Sequence, residues 1–131
     1  MAQRVRGAIK GTLCYDIHDE LPVEEPFDCV ICLLVLDTAS RNLSDFEANL
    51  CKIASVLRGP GFTVIIVLVN NESEFYTLVG NKYPSFNIES EMALRCLAKA
   101  GFTCTNTSEH MASYEAGPIR KFLFVSAKLS A

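Results

Sequence analysis

Six cysteines are the most reactive side chains in this 131-residue sequence, and they could form a metal site, a redox pair or disulfides. Cys29 and Cys32 have the Cys-x-x-Cys spacing that such sites use. The two lie in an apolar run typical of a β-strand, however, where residues three apart point to opposite faces. They therefore cannot bind one ion or form a redox pair. Only the number of cysteines supports a metal or redox protein, and we expect the thiols to act as small apolar side chains.

The run from Cys29 to Leu36 contains eight successive residues without a charge, and Asp37 closes it. A strand with one solvent-exposed face alternates apolar and polar residues, whereas a strand covered on both faces is a continuous run of Val, Ile and Leu. The segment FTVIIVLV, residues 62–69, has the same character. We therefore expect strands at 28–36 and 62–69, each covered on both faces by other elements.

A helix of about residues 44–57 is predicted between these two strands. The pattern Ser44-x-x-Glu47 predicts a capping box at its start, and Gly59 with Pro60 predicts its end. A strand, a helix and a second strand in this order indicate a parallel pair of strands. Apolar residues at spacings of three and four form one stripe that should be buried: Leu43, Phe46, Leu50, Ile53, Ala54 and Leu57.

The remaining predicted elements are a strand at 8–17, a helix at about 89–100 and strands near 102–107 and 119–127. Gly101 is expected to cap the helix. The turn-rich segment between the last two strands predicts that they pair antiparallel. Residues 74–86 are compatible with a short helix or with a hairpin around Gly80 and Asn81.

Composition limits the partners of the chain. Twelve Lys and Arg against fifteen Asp and Glu give a net charge of −3. The basic residues are scattered, so there is no basic stripe of the kind that binds nucleic acid. Apolar runs near eight residues are far shorter than the roughly 20 residues that span a bilayer, and no signal peptide is evident. We expect one domain in the cytoplasm, with neither nucleic acid nor membrane as partner.

Five segments in a fixed order carry the most specific information: IKGTLCYDI, DCVICLLVLD, LRGPGF, FYTLVGNKY and ALRCLAKAGF. Together they resemble the nicotinamide, phenylethanolamine and indolethylamine N-methyltransferases. The first two are similar to that family's strands with Cys-Asp-Val and Asp-Cys-Val. The others are similar to its Leu-Lys-Pro-Gly-Gly turn, its Tyr-Tyr-Met-Val-Gly segment and its helix end with Ala-Gly-Phe. The likeness covers residues from about 5 to 128.

The resemblance implies an α/β fold with a partial Rossmann-like sheet of the class I S-adenosylmethionine-dependent methyltransferases. That sheet has a parallel core, an antiparallel carboxyl-terminal pair and the spatial strand order 3-2-1-4-5-7-6. Residues 8–16 would be strand 3, 28–36 strand 4 and 62–69 strand 5, and the last two predicted strands would be 6 and 7. The implied reaction is methyl transfer from S-adenosylmethionine to a small-molecule amine acceptor, without a metal and without an assigned catalytic residue.

Cofactor contacts are implied at Asp16, Ile17, Leu33 and Leu34. A carboxylate at the carboxyl end of a strand can accept a hydrogen bond from the exocyclic amine of adenine, while an aliphatic side chain covers the ring. Asp16 could instead only open the loop to His18, and the two leucines could belong to the core.

Contacts with the methyl acceptor are implied at Asp37, Thr38, Tyr76 and Ser85. Asp37 and Thr38 could instead start a turn or a helix, and Tyr76 could be an ordinary half-buried hairpin residue. The carboxylate that the family uses for nicotinamide corresponds to Val67. Nicotinamide is therefore expected to be a poor acceptor.

A GxGxG loop, which in the family binds the methionine end of the cofactor, does not occur in the 131 residues. We therefore expect residues 1–131 to be one truncated methyltransferase domain that is inactive alone. Segment 28–36 would then be an open sheet edge, filled by the amino-terminal strand or by a second copy of the chain. The alternative function is a non-catalytic remnant that serves as a dimerisation or interaction module.

Overall fold

The computed structural model describes residues 2–9, 11, 13–14, 16–20, 25–69, 75–84, 86–112 and 120–130. Its helices are α1 (Ala2–Ala8), α2 (Leu36–Ala39), α3 (Leu43–Ser55) and α4 (Ser90–Lys99). Its strands are β1 (Phe27–Leu33), β2 (Leu57–Leu68), β3 (Phe75–Leu78), β4 (Asn81–Pro84), β5 (Phe102–Ala112) and β6 (Arg120–Leu129).

The main sheet has four strands in the order β1-β2-β6-β5. β1 and β2 are parallel, with Cys29 beside Phe62 and Leu33 beside Ile66. β6 is antiparallel to both β2 and β5. The predicted parallel pair and the predicted antiparallel carboxyl-terminal pair are thus confirmed, and the order is the 4-5-7-6 part that the resemblance implied.

Helices α3 and α4 bury the core on one face of this sheet. Three residues of the predicted stripe are buried on α3: Phe46, Leu50 and Ile53. Leu43 and Ala54 are only partly buried, and Leu57 is buried but belongs to β2. On α4 the buried residues are Ala93, Cys96 and Leu97. The buried β2 side chains at alternate positions, among them Ile65 and Val67, complete the core. Gly101 adopts a φ of 97° directly after α4, which confirms it as the residue that ends this helix.

Both predicted caps of α3 were wrong, although its start at Leu43 lies one residue from the prediction. The residue that caps its start is Asn42, whose Oδ1 accepts a hydrogen bond from the Asp45 backbone N–H at 2.9 Å, instead of Ser44. The helix ends at Ser55, and residues 58–61 belong to β2. The backbone at Gly59 is not left-handed, so it does not cap the helix. Gly61 has a different requirement, because a Cβ there would collide with the carbonyl oxygen of Arg58.

The segment 74–86 forms a hairpin, which decides between the two predicted alternatives. β3 and β4 pair antiparallel, with Leu78 beside Asn81. The two turn residues, Val79 and Gly80, have φ of 49° and 77°. Positive φ at both central positions is typical of a tight hairpin turn.

The predicted strand at 8–17 was wrong. Helix α1 covers its first residue, and the described residues 9, 11, 13, 14, 16 and 17 lie in no strand. A strand requires a neighbour that satisfies its backbone N–H and C=O groups. In the described part of the chain β1 pairs only with β2, so the expectation that the amino-terminal strand fills the outer edge of β1 was also wrong.

The prediction that other elements cover both faces of β1 was wrong as well. Cys32 on one face is buried, but Ile31 and Leu33 on the other face are 65% and 50% exposed. Helices α3 and α4 pack on the face that buries Cys32, and the described residues cover Ile31 and Leu33 on the other face by no more than half. The result is a strand with the sequence of a two-sided core and one face in solvent.

Candidate functional site

A groove of about 730 Å³ follows the outer edge of β1. Asp16 and Ile17 line it together with residues 30–33, Val35 and Ile53. Consecutive strand residues point to opposite faces, so a groove lined by four in a row runs along the backbone edge. Its volume lies in the range of roughly 300–1,000 Å³ that small-molecule sites occupy. The described structure therefore offers a ligand-sized cleft at the open edge of the sheet.

Hydrogen bonds fix the Asp16 side of this groove. The Asp16 carboxylate accepts from the His18 backbone N–H at 2.9 Å, and the Asp16 carbonyl accepts from the Asp19 N–H at 2.9 Å. The Lys52 ammonium of α3 donates to the carbonyl oxygens of Ile17 at 2.6 Å and Asp19 at 3.0 Å. Asp16 thus opens the loop to His18, as the alternative reading of this residue predicted. It also lines the groove.

Lys52 gives a direct test of how this segment is held. Replacing Lys52 with Met keeps the aliphatic stem but removes both donors, so we expect faster amide hydrogen exchange at residues 16–19 and a stability loss of about 1 kcal/mol. Lys99→Met is the matched control, because Lys99 only forms an exposed ion pair with Glu47 at 3.5 Å. Equal exchange in both variants would show that Lys52 does not hold the segment.

The tip of β1 turns sharply into α2. Leu34 has a φ of 57°, a left-handed conformation that a leucine rarely adopts, and its N–H donates to the Ile66 carbonyl at 2.8 Å. The Thr38 hydroxyl donates to the carbonyl oxygens of Leu34 and Val35, both at 3.1 Å. Leu33 lines the groove at this tip, whereas Leu34 does not. Strained backbone of this kind is concentrated at functional sites.

Asp37 is the most unusual polar residue beside the groove. It is 0% exposed, and neither carboxylate oxygen has a hydrogen-bond partner within the described residues. Burial raises its pKa, while the nearby backbone N–H groups of Asp37 itself, Leu68 and Thr38 oppose that rise. Its carbonyl accepts from the Phe86 N–H at 3.3 Å. Asp37 therefore lies behind the groove and not on its surface.

Cys32 stands between Asp37 and the groove. Burial, and next the Asp37 charge, raise the pKa of the Cys32 thiol to about 11. A thiol with that pKa is not a nucleophile at neutral pH. Cys32 therefore contributes an apolar wall to the groove.

The structure brings together Asp16, Ile17 and Leu33 of the eight residues implied by the resemblance. Thr38 and Leu34 are neighbours at the strand tip, and Asp37 is buried behind them. The backbone of Tyr76 lies in β3, but its side chain and the whole of Ser85 lie outside the described residues. Sequence reasoning missed Lys52 as the residue that holds the groove, because its partners lie 33 and 35 positions away.

Neither a disulfide nor a metal site occurs in the described part of the chain. All six cysteines, each within it, are free thiols. Within the same residues, no three His, Cys, Asp or Glu side chains come together as a metal site. None of the described helices has the length and apolar character needed to cross a membrane.

Comparison with known proteins gives one family. The model of the NNMT/PNMT/TEMT family matches residues 1–129. Nicotinamide N-methyltransferase of Homo sapiens is 29% identical over 105 residues, which cover 77% of this chain and 39% of that protein. Indolethylamine N-methyltransferase of Oryctolagus cuniculus is 28% identical over 133 residues, which cover 97% of this chain and 50% of that protein. The chain thus spans about half the length, or less, of these curated relatives.

Solved structures show the fold. An S-adenosylmethionine-dependent methyltransferase from Clostridium acetobutylicum superimposes with a TM-score of 0.71 at 12% identity, over 99% of this chain and 69% of that one. The 1,6-didemethyltoxoflavin-N1-methyltransferase of Burkholderia thailandensis, solved with S-adenosylhomocysteine, gives 0.67 at 21% identity, over 99% of this chain and 55% of that one. The partial Rossmann-like fold of the class I methyltransferases is thereby confirmed.

Proposed function

Because the chain belongs to the NNMT/PNMT/TEMT family, we propose that it contributes the adenine side of an S-adenosylmethionine site in an N-methyltransferase that acts on a small amine. One observation carries this proposal. Asp16, Ile17 and Leu33, three of the four residues implied as cofactor contacts, line one groove at the open edge of β1. The fourth, Leu34, holds the turn that ends the groove.

The groove suits one end of the cofactor better than the other. The exposed carboxylate of Asp16 can accept from an exocyclic amine, while Ile17, Leu33 and Val35 offer aliphatic surface to a flat ring. The methionine end would need a loop rich in backbone N–H groups, and the sequence has no GxGxG. We propose that residues 1–131 form one truncated methyltransferase domain with little or no activity alone.

Methyl transfer to an amine requires little of the protein beyond alignment of the two reactants. When bound, the cofactor supplies a methyl group on a sulfonium, which a neutral amine attacks without further activation. The rigid tip of β1, held by the Thr38 hydroxyl, orients the groove toward the acceptor. We propose the acceptor side at Asp37, Thr38, Tyr76 and Ser85. Asp37 would reach an acceptor only after α2 moved, because its carboxylate is buried.

Val67 shapes the choice of acceptor. Its side chain is 1% exposed in the core, so this position offers no carboxylate to a ligand. We propose an amine other than nicotinamide. Free thiols at all six cysteines fit a reducing compartment, and we propose the cytoplasm as the location.

Cofactor affinity tests this proposal. We expect S-adenosylmethionine to bind with a Kd above about 100 µM, because the lost ribose and carboxylate contacts are each worth about 1.5–3 kcal/mol. The measurement is a calorimetric titration, with methyl resonances of Ile17 and Leu33 followed by NMR at millimolar ligand. Asp16→Ala should weaken the shifts, and Thr107→Ala on β5 should not. A Kd in the micromolar range would contradict the truncated site, and unmoved Ile17 and Leu33 resonances would contradict the groove.

A second candidate function follows from the open edge of β1. A long apolar strand that pairs on one side only is a template for another strand. The chain could therefore act without catalysis, as a module that dimerises or docks through this edge. Co-purification with a full-length relative, in the absence of any cofactor binding, would favour this second function.

A further inference from the structure

The turn between β1 and α2 is left-handed at a residue that is not glycine. Leu34 has a φ of 57°. This conformation is unfavourable for a residue with a Cβ, whereas glycine adopts it freely. Two groove residues, Leu33 and Val35, lie on either side of Leu34 in the chain. Strained backbone persists only where the surrounding structure holds it. The contacts that hold Leu34 therefore decide where these two groove residues lie.

Backbone hydrogen bonds hold the two sides of this turn, and one side chain joins them. The Leu34 N–H donates to the Ile66 carbonyl of β2 at 2.8 Å, which fixes the strand side. The Ala39 N–H donates to the Val35 carbonyl at 2.8 Å, which fixes the helix side. The Thr38 hydroxyl donates to the carbonyl oxygens of Leu34 and Val35, both at 3.1 Å. This hydroxyl thus contacts the strained residue and the residue that follows it.

We propose that Thr38 is a positioning residue of the cofactor groove. Its hydroxyl holds Leu34 in the left-handed conformation and thereby keeps Leu33 and Val35 in the wall of the groove. Bonds from a threonine hydroxyl to carbonyls three and four residues earlier are common inside helices. Here the Leu34 carbonyl lies outside α2, so the bond connects the helix to the end of the strand.

Burial leaves the turn as the least restrained part of this segment. Leu36 and Asp37 of α2 are fully buried, so the core anchors the helix. Leu34 and Val35 are 43% and 41% exposed, so packing restrains their positions less. The hydrogen bonds of Thr38 therefore act where packing alone does not fix the backbone.

The same hydrogen bonds limit what Thr38 offers to a bound molecule. A hydroxyl has one hydrogen to donate and two lone pairs that accept. The hydrogen is shared between the two carbonyl oxygens. Only the lone pairs remain for a ligand, so Thr38 acts on the groove chiefly through the turn. The ligand in this proposal rests on the proposed function, whereas the effect of Thr38 on the turn does not.

Thr38→Val tests the effect on the turn, because valine keeps the shape of threonine and lacks the hydroxyl. A strong nuclear Overhauser effect between the amide and α hydrogens of one residue marks a positive φ. We expect this signal at Leu34 to weaken in Thr38→Val and to persist in Thr38→Ser, which keeps the hydroxyl. Thr107→Val on the exposed β5 is the matched control and should leave Leu34 unchanged. An unchanged Leu34 signal in Thr38→Val would overturn the proposal.

Ligand affinity tests the positioning role itself. S-adenosylhomocysteine is titrated to millimolar concentration while the methyl resonances of Ile17, Leu33 and Val35 are followed by NMR. The loss of one hydrogen bond that holds the site should raise the Kd about fivefold in Thr38→Val. Thr38→Ser should bind like the wild type. Equal Kd values for the wild type and Thr38→Val would overturn the positioning role.

Leu34→Gly distinguishes a positioning role from direct contact with the ligand. Glycine adopts a positive φ without steric cost, so the turn needs the hydroxyl less in this background. We therefore expect Thr38→Val to weaken binding less in the Leu34→Gly background than in the wild type. An equal loss in both backgrounds would overturn the action through the turn and indicate direct contact.

The wild-type titration separates this proposal from the proposed function. If the wild type binds no S-adenosylhomocysteine at millimolar concentration, the proposed function fails, and the positioning role in the groove fails with it. If the wild type binds and Thr38→Val binds equally well, only the positioning role fails. The signal at Leu34 needs no ligand, so it decides in either case whether Thr38 holds the turn.

Discussion

Replacing Phe46 with alanine is expected to lower the free energy of unfolding by about 3–5 kcal/mol, the usual loss when a buried aromatic side chain leaves a cavity. Phe46 is fully buried on α3, and its ring packs against Phe86 with the centroids 6.2 Å apart. The Phe86 backbone N–H in turn bonds to the carbonyl of Asp37. The cavity would therefore loosen the link between α3 and Asp37.

Urea unfolding followed by circular dichroism measures this effect at one fixed chain concentration, because dimerisation alters apparent stability. Cys51→Ala is the control on the same helix, since Cys51 is exposed and should change stability by less than about 0.5 kcal/mol. If Phe46→Ala does not fold, Phe46→Leu should still fold with a smaller loss, because it leaves a smaller cavity. A loss of under about 1 kcal/mol for Phe46→Ala would, by the same cavity argument, contradict the packing of α3 on the sheet.

Asp37→Asn is expected to stabilise the fold at neutral pH by about 1.4 kcal/mol for each unit by which burial raises the pKa of Asp37, because the amide cannot ionise. The pKa of Asp37 is raised in the folded chain, chiefly by burial. Below the pKa of the unfolded chain, near 3.8, the carboxyl is protonated in both states and costs nothing by ionisation. Above 3.8 the unfolded chain ionises while the folded carboxyl stays protonated, so the fold loses stability as pH rises until the folded pKa is passed. The variant does not lose stability in this way, because its amide does not ionise.

The measurement is urea unfolding of both proteins at several values of pH between 4 and 7, roughly the window above the unfolded pKa. The advantage of Asp37→Asn should grow as pH rises. Asp45→Asn is a control of opposite sign, because hydrogen bonds from the Arg41 backbone and side chain lower the pKa of the half-buried Asp45. The free energy of unfolding of Asp45→Asn should fall below that of the wild type as pH rises. Parallel curves for wild type and Asp37→Asn would show that folding does not shift the pKa of Asp37.

This result would also bear on function. A buried carboxylate that has no hydrogen-bond partner among the described residues destabilises a fold, so the presence of Asp37 in α2 needs an explanation other than stability. A role at the acceptor side of the site is the one we propose. A stable Asp37→Asn variant would then allow that role to be tested without loss of the fold.

Periodicity in the sequence determined the parts of the fold that depend on short-range patterns. Continuous apolar runs predicted the parallel pair, and the buried stripe of α3 followed from residues three and four apart. The start of α3 could not be predicted in this way, since Asn42 and Ser44 are both good capping residues and only the backbone geometry selects Asn42.

Tertiary structure alone decided how the ends of the elements meet. The sequence of residues 8–17 is suited to a strand, but its described residues pair with no strand, so their backbone groups lack the partner that a strand needs. Lys52 holds the Asp16 side of the groove through carbonyl groups distant in the chain, and no local pattern marks such contacts. The exposure of Ile31 has the same origin, because burial depends on which other elements are present. Sequence specified what each segment can form, and the available partners decided what it does form.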